Sequence, residues 1–134
     1  MIALKKAVYE RLRDEIMGRV HWDYAPDGTP FPYIVVQVFG IVEPDRFQGT
    51  MELVEQLTIR ISAWDTTMES VDNLIASIEE TFVDEELTTD TGHVMDMARG
   101  SVETTQESQT EPAAGEIWRG TMDLIITYQH TLGD

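Results

Sequence analysis

Carboxylates and three histidines are the side chains of this sequence that could do chemistry, as acid–base pairs or as metal ligands. Neither use finds a matching pattern. His21, His93 and His130 are single, far apart and without a metal-ligand spacing, so each reads as a surface or partly buried structural histidine. Cysteine is absent, which excludes disulfides, thiolate zinc sites and a cysteine nucleophile. No G-x-S-x-G, G-x-x-x-x-G-K or G-x-G-x-x-G occurs. Asp65-Thr66-Thr67 holds one carboxylate and Asp84-Glu85-Glu86 gathers three, but both lack the spacing and central glycine of a calcium-binding loop. The first reads as a helix start and the second as a solvated loop. The expectation is therefore a non-enzyme, with no catalytic, cofactor-binding or metal residue assigned and no cofactor.

The elements that must position these groups follow from apolar periodicity. Leu4, Val8, Leu12 and Ile16 recur every four residues with Ala7 beside them, which predicts a helix over residues 3–17 stopping at Gly18. Residues 20–32 read as a loop with a short extended piece at Val20-His21-Trp22, because Asp27-Gly28 and three prolines oppose regular structure. A strand is predicted over 33–42, apolar on both faces through Val38, and an alternating strand over 52–64 that pairs with it antiparallel. Between them 43–51 reads as a loop. Thr66 with Glu69 predicts a capping box for a helix over 68–82. Strands over 93–105 and 116–128 complete the order α-β-β-α-β-β, and the polar stretch 106–115, with Pro112 and Gly115, reads as a long mobile hairpin tip. The expected fold is one α+β domain over residues 1–134. It has a four-stranded, mainly antiparallel sheet with two helices packed on one face.

Twenty-five acidic against nine basic residues give a net charge of −16, and lysine occurs only at positions 5 and 6. Stable nucleic-acid binding needs cations to displace counterions from phosphate, so this balance disfavours it. Solubility, a surface that DNA passes without sticking, and adaptation to high salt all fit the acidity. No apolar run approaches the length that spans a bilayer, and no apolar segment of a secretory signal follows Lys5 and Lys6, so no membrane partner is expected.

The segment Phe31-Pro32-Tyr33-Ile34-Val35-Val36 enters the first strand, and the next strand ends Ser62-Ala63-Trp64. Leu74-Ile75 sits mid-helix and Gly92-His93 opens the third strand. This ordered set, over residues 4–128, resembles the tail-completion proteins of long-tailed phages, also called tail terminator or head-to-tail joining proteins. Their usual pattern is PY(V/I)V, a strand ending in Trp or another hydrophobic residue, a capped helix, and a G-(H/Y) pair. The resemblance implies a homo-oligomeric ring, usually a hexamer, at the head-proximal end of the tail. Such a ring stops tube growth, contacts the tail tube protein and the neck or connector protein, and lets DNA cross its lumen without specific binding. The protein would be assembled in the host cytoplasm and reside in the virion tail. Interface candidates are Trp22, Tyr24, Phe47, Gln106, Glu107 and Glu111. Candidates for lumen charge are Asp45, Asp84, Glu85 and Glu86. A neck, stopper or minor tail protein is the structural alternative. From other classes come an acidic DNA-mimic inhibitor, which would concentrate its acids on one elongated face, and an enzyme using Asp65 and Asp84.

Overall fold

The computed structural model describes residues 2–15, 19–46, 52–83, 87–89, 92–107 and 116–131. Its elements are α1 (Ile2–Glu15), β1 (Val20–Trp22), β2 (Tyr33–Arg46), β3 (Glu52–Asp65), α2 (Met68–Val83), β4 (His93–Glu107) and β5 (Ile117–Thr131). The five strands form one sheet in the order β1-β2-β3-β5-β4. All neighbours are antiparallel except β1 and β2, which run parallel. The α+β class and the two helices agree with expectation. The four-stranded sheet is corrected to five strands and mixed pairing. The added strand is only three residues long, too short to show a period of two. It is fixed from outside its own sequence: Ile34 N donates to Arg19 O (2.9 Å) and Asp23 N to Val36 O (3.0 Å).

Alternation decides which face is core. Leu57, Ile59, Ile61 and Ala63 on β3 are fully buried, as are Ile34 and Val36 on β2 and Ile126 and Tyr128 on β5. Leu4, Val8 and Leu12 of α1 and Val71, Ile75, Ile78 and Phe82 of α2 close the same cluster. Each fully buried aliphatic side chain contributes roughly 1.5–3 kcal/mol, so the helical stripes suffice to hold both helices on that face. The strands run longer than their periodicity suggests. β2 continues through Glu43–Arg46 because register shifts at Val38/Gly40 and Val42/Asp45 let the ladder absorb Pro44 and Gly40. β4 likewise reaches Gln106 and Glu107, which pair with Trp118 and Ile117, so these two are strand rather than hairpin tip. The remainder of that expected tip, 108–115, lies outside the described residues.

The helix start is displaced by one residue from the expected Thr66–Glu69 box. Asp65 Oδ1 accepts from Thr66 N at 2.7 Å, which engages Thr66 in the turn before the helix. Thr67 takes the cap instead: its Oγ1 accepts from Ser70 N (3.2 Å) and its carbonyl from Val71 N (3.2 Å). Ser70 Oγ also donates to Asp65 Oδ2, so this carboxylate belongs to the helix start. Two bridges tie α2 to β4: Arg99 to Glu79 (3.0 Å) and Thr104 Oγ1 to Asp72 (2.8 Å).

Gly120 marks where α2 presses on the sheet. A Cβ there would lie 2.6 Å from Val71 Cγ1 and 2.7 Å from Ile75 Cγ1, both on buried β-branched side chains with little room to yield. Gly120→Ala is expected to cost roughly 1–3 kcal/mol by overpacking. Urea unfolding checks this, and a midpoint unchanged from the parent would contradict the close approach.

Candidate functional site

With both helices on one side, the other face of the sheet stays open. Its side chains follow from register. Tyr33 on β2 faces Trp64 on β3, which faces Arg119 on β5. One step along, Val35 faces Ser62 and Thr121, and then Gln37 faces Arg60 and Asp123. Together with Asp23, Tyr24 and Glu103 these residues line a groove of about 460 Å³.

Three interactions organise this face. Arg60 holds Asp123 through two charge-assisted hydrogen bonds, Nε–Oδ1 at 2.9 Å and Nη2–Oδ2 at 3.2 Å. The bond to Asp123 raises the Arg60 pKa above its usual value, burial acts against this, and the negative charges of Asp123 and Glu103 add to the rise. The Phe39 ring lies 3.8 Å from the Arg60 guanidinium and covers its outer side, though Phe39 itself is 63% exposed. The second interaction is an ion pair: Arg119 Nε sits 3.2 Å from Glu107 Oε1, outside hydrogen-bond geometry. The third is a ladder of rings, Phe31 on Tyr33 (5.4 Å) and Tyr33 on Trp64 (5.2 Å). Chemically the face offers stacked rings and paired charges. Both of its arginines already face carboxylates, so it offers no unopposed cation row to phosphate. Among the described residues no three His, Asp or Glu side chains converge as a metal site. No described helix is long and apolar enough to cross a membrane.

The expected site residues that the structure describes lie on different elements. Trp22 lies on β1, in the short extended piece expected at residues 20–22, and is half-buried. It stacks on Tyr9 of α1 at 6.3 Å and packs against the core, because the parallel pairing of β1 turns it under the helix. Tyr24 is 73% exposed at the groove. Gln106 and Glu107 end β4, and Glu107 is held by Arg119. Asp45 lies on the extended part of β2, and its side chain is outside the described residues, as are Phe47, Asp84, Glu85, Glu86 and Glu111 entirely. Of the histidines, His21 and His93 are partly or fully exposed, whereas His130 is buried against Glu55 and stacked on Tyr128 at 5.0 Å. Sequence reasoning missed the His130–Glu55 pair because His130 falls beyond the predicted strand end. It also missed Arg60–Asp123. Both residues were assigned to polar strand faces, yet only the β3–β5 register brings them opposite one another.

A sequence profile described as "Tail completion protein gp17" matches residues 6–129. No curated protein sequence matches the chain. Among solved structures, a chain from the virion of a native gene transfer agent particle superposes with a TM-score of 0.69 at 14% identity, covering 95% of each chain. The gp17 protein of bacteriophage SPP1 aligns at 17% identity over 99% of this chain and 91% of that one, with a TM-score of 0.45. The fold likeness rests on the first of these. An α+β domain with one open sheet face and this profile is a structural component of a virion tail. The chain belongs to the tail completion protein gp17 family.

Tyr33 reports on the charge of the open face. Burial raises its pKa above the usual 10.0, and the negative charge of Glu107 raises it further. An acid raised on folding contributes stability that is complete below about pH 10 and lost as pH climbs through the folded value. Glu107→Gln is expected to lower the Tyr33 pKa while leaving it above 10.0, since burial is the larger cause. Ring-resolved NMR titration checks this, and an unmoved Tyr33 would show that the Glu107 charge does not reach the ring.

Proposed function

We propose that this protein caps the head-proximal end of the tail tube as a ring, most simply a hexamer, and joins the tail to the capsid neck. The observation that carries the reading is the family match over nearly the whole described chain. The site chemistry agrees with it. The open face presents stacked aromatics and paired charges suited to protein contact, and the role asks for no catalysis. The polar connection between β4 and β5, with Pro112 and Gly115, cannot build a core of its own and in this reading seats on the tube or a neighbour. A DNA-mimic inhibitor is less well supported. Acids on α1 (Glu10, Asp14), on α2 (Glu69, Asp72, Glu79) and on the open face (Glu103, Asp123) point in several directions rather than along one face.

DNA crosses the lumen in this reading, with Asp45, Asp84, Glu85 and Glu86 as wall candidates. A lysine-rich wall would hold the duplex through many phosphate contacts, whereas an acidic wall keeps it centred and mobile. Reversing these acids to lysine is expected to slow DNA ejection more at low than at high ionic strength, because salt screens the wall. Ejection rates that ignore both the reversal and the salt would assign the −16 charge to solubility or salt adaptation instead.

The capping role has its own test. Particles assembled without this protein are expected to show tails of irregular length that fail to join filled heads. Electron micrographs check this, and tails of normal length attached to heads would rule out a terminator.

A further inference from the structure

The row order of the open face leaves a trough that runs across the strands. Val35, Ser62 and Thr121 form its floor, between the taller rows Tyr33–Trp64–Arg119 and Gln37–Arg60–Asp123. The two walls are four residues apart along β2, roughly 13 Å at the backbone. From β2 to β4 the trough crosses three strand spacings, roughly 14 Å. Its floor is polar and not satisfied from within. Ser62 is 5% exposed, and its hydroxyl has no hydrogen-bond partner among the described residues. A hydroxyl buried to this degree ordinarily has one, so Ser62 stands ready for a partner supplied from outside the chain.

The charges of the trough do not cancel. Arg60 is matched by Asp123 and Arg119 by Glu107. Asp23 and Glu103 remain, both exposed and neither in an ion pair among the described residues. They stand at opposite ends. Asp23 follows β1 and is fixed beside β2: its N–H donates to Val36 O (3.0 Å), and its own carbonyl accepts from Gln37 Nε2 (3.2 Å). Glu103 projects from β4 opposite Thr121. Its field reaches Arg60, but the hydrogen bonds of that guanidinium go to Asp123. The trough therefore offers a hydroxyl floor, a wall of half-buried rings and an unmatched carboxylate at each end.

We propose that this trough receives an extended, basic segment of a different polypeptide, with a lysine or arginine near Asp23, another near Glu103, and a backbone carbonyl accepting from the Ser62 hydroxyl. An extended chain advances about 3.3 Å per residue, so cations four positions apart match the length of the trough. Their aliphatic stems lie along the rings of Tyr33 and Trp64, which also favour a cation above them. Phosphate is disfavoured by the two unmatched carboxylates. A second copy does not supply the segment. Four of the nine cations of this chain lie on the helix α1, and the other five stand 14 or more positions apart. The partner's place as a tail or neck subunit rests on the joining role, whereas the chemistry of the trough does not.

Titrating the isotope-labelled full chain with the capped peptide Arg-Thr-Ala-Thr-Arg, followed by NMR, tests this. Shift changes are expected to concentrate at Ser62, Thr121 and the Trp64 indole. Asp23→Asn/Glu103→Gln is expected to bind about tenfold more weakly. Asparagine tolerates the positive φ (63°) of position 23, so this variant keeps the fold. Glu69→Gln/Glu80→Gln removes two exposed charges from α2 instead and is expected to change the affinity by less than about twofold. Ser62→Ala is expected to weaken binding roughly three- to tenfold. Equal weakening by both charge-removing pairs would assign the binding to the net charge of −16 and overturn the proposal. Shift changes spread over the helices, or an unaffected Ser62→Ala variant, would overturn it too. Spermidine matching the peptide in affinity and in shifts would give the trough to free polyamines. Trough binding by a protein found away from the tail–neck junction would sink the joining role and leave the trough chemistry standing.

Discussion

The period-two alternation of β3 is the constraint on which the rest of the molecule depends. β3 is flanked by β2 and β5 over nearly its whole length, and Leu57, Ile59, Ile61 and Ala63 all point to the helical side. A slip of one residue would carry every one of them to the open face and bring Arg60 under the helices. Helix packing then locks the register. Gly120 lets α2 approach β5 closely enough that no side chain fits between them. On the other face the Arg60–Asp123 pair forms only when the same register is held. Breaking this pair by removing one partner would leave a charge facing a half-buried surface, whereas keeping both satisfies each with two bonds. Apolar burial thus fixes where the strands sit, and polar pairing discriminates against the alternative.

The same constraint shapes what the protein can offer to others. Placing both helices on one side leaves a polar face, and among the described residues the outer edge of β4 and that of β2 beyond Val36 have no strand beside them. Cations are few, and three on the sheet face carboxylates: Arg60 with Asp123, Arg99 with Glu79, Arg119 with Glu107. The surface that remains is acidic, with aromatic and aliphatic side chains exposed at the strand margins. Protein partners suit such a surface better than phosphate does.

Much of this was legible in the sequence because long periodic segments carry their own signal. The α1 and α2 stripes, the β3 alternation and the β5 core face are all read from spacing. Family resemblance was legible from Pro32-Tyr33 and Gly92-His93, and the structure gives the second pair a physical reason. Gly92 has φ +76°, and a Cβ there would lie 2.5 Å from the Tyr128 hydroxyl and 2.6 Å from the Gln129 carbonyl, so the entry to β4 accepts only glycine. What could not be read depended on partners distant in sequence. β1 is a strand only because β2 returns beside it. The continuation of β2 past Pro44 depends on bulges that local propensity does not show. Thr67 displaces Thr66 as cap because Asp65 engages Thr66 first. Arg60 with Asp123, and His130 with Glu55, are separated by 63 and 75 positions and meet only through strand register.

The proposed role requires a closed ring where the tail meets the neck. Electron cryomicroscopy of the head–tail junction in intact particles tests it most directly. The expected density is a single ring of copies between the last layer of tube subunits and the neck, with its opening wide enough for duplex DNA. Density for this fold at the distal tip, along the tube or in a single copy beside the neck would contradict it.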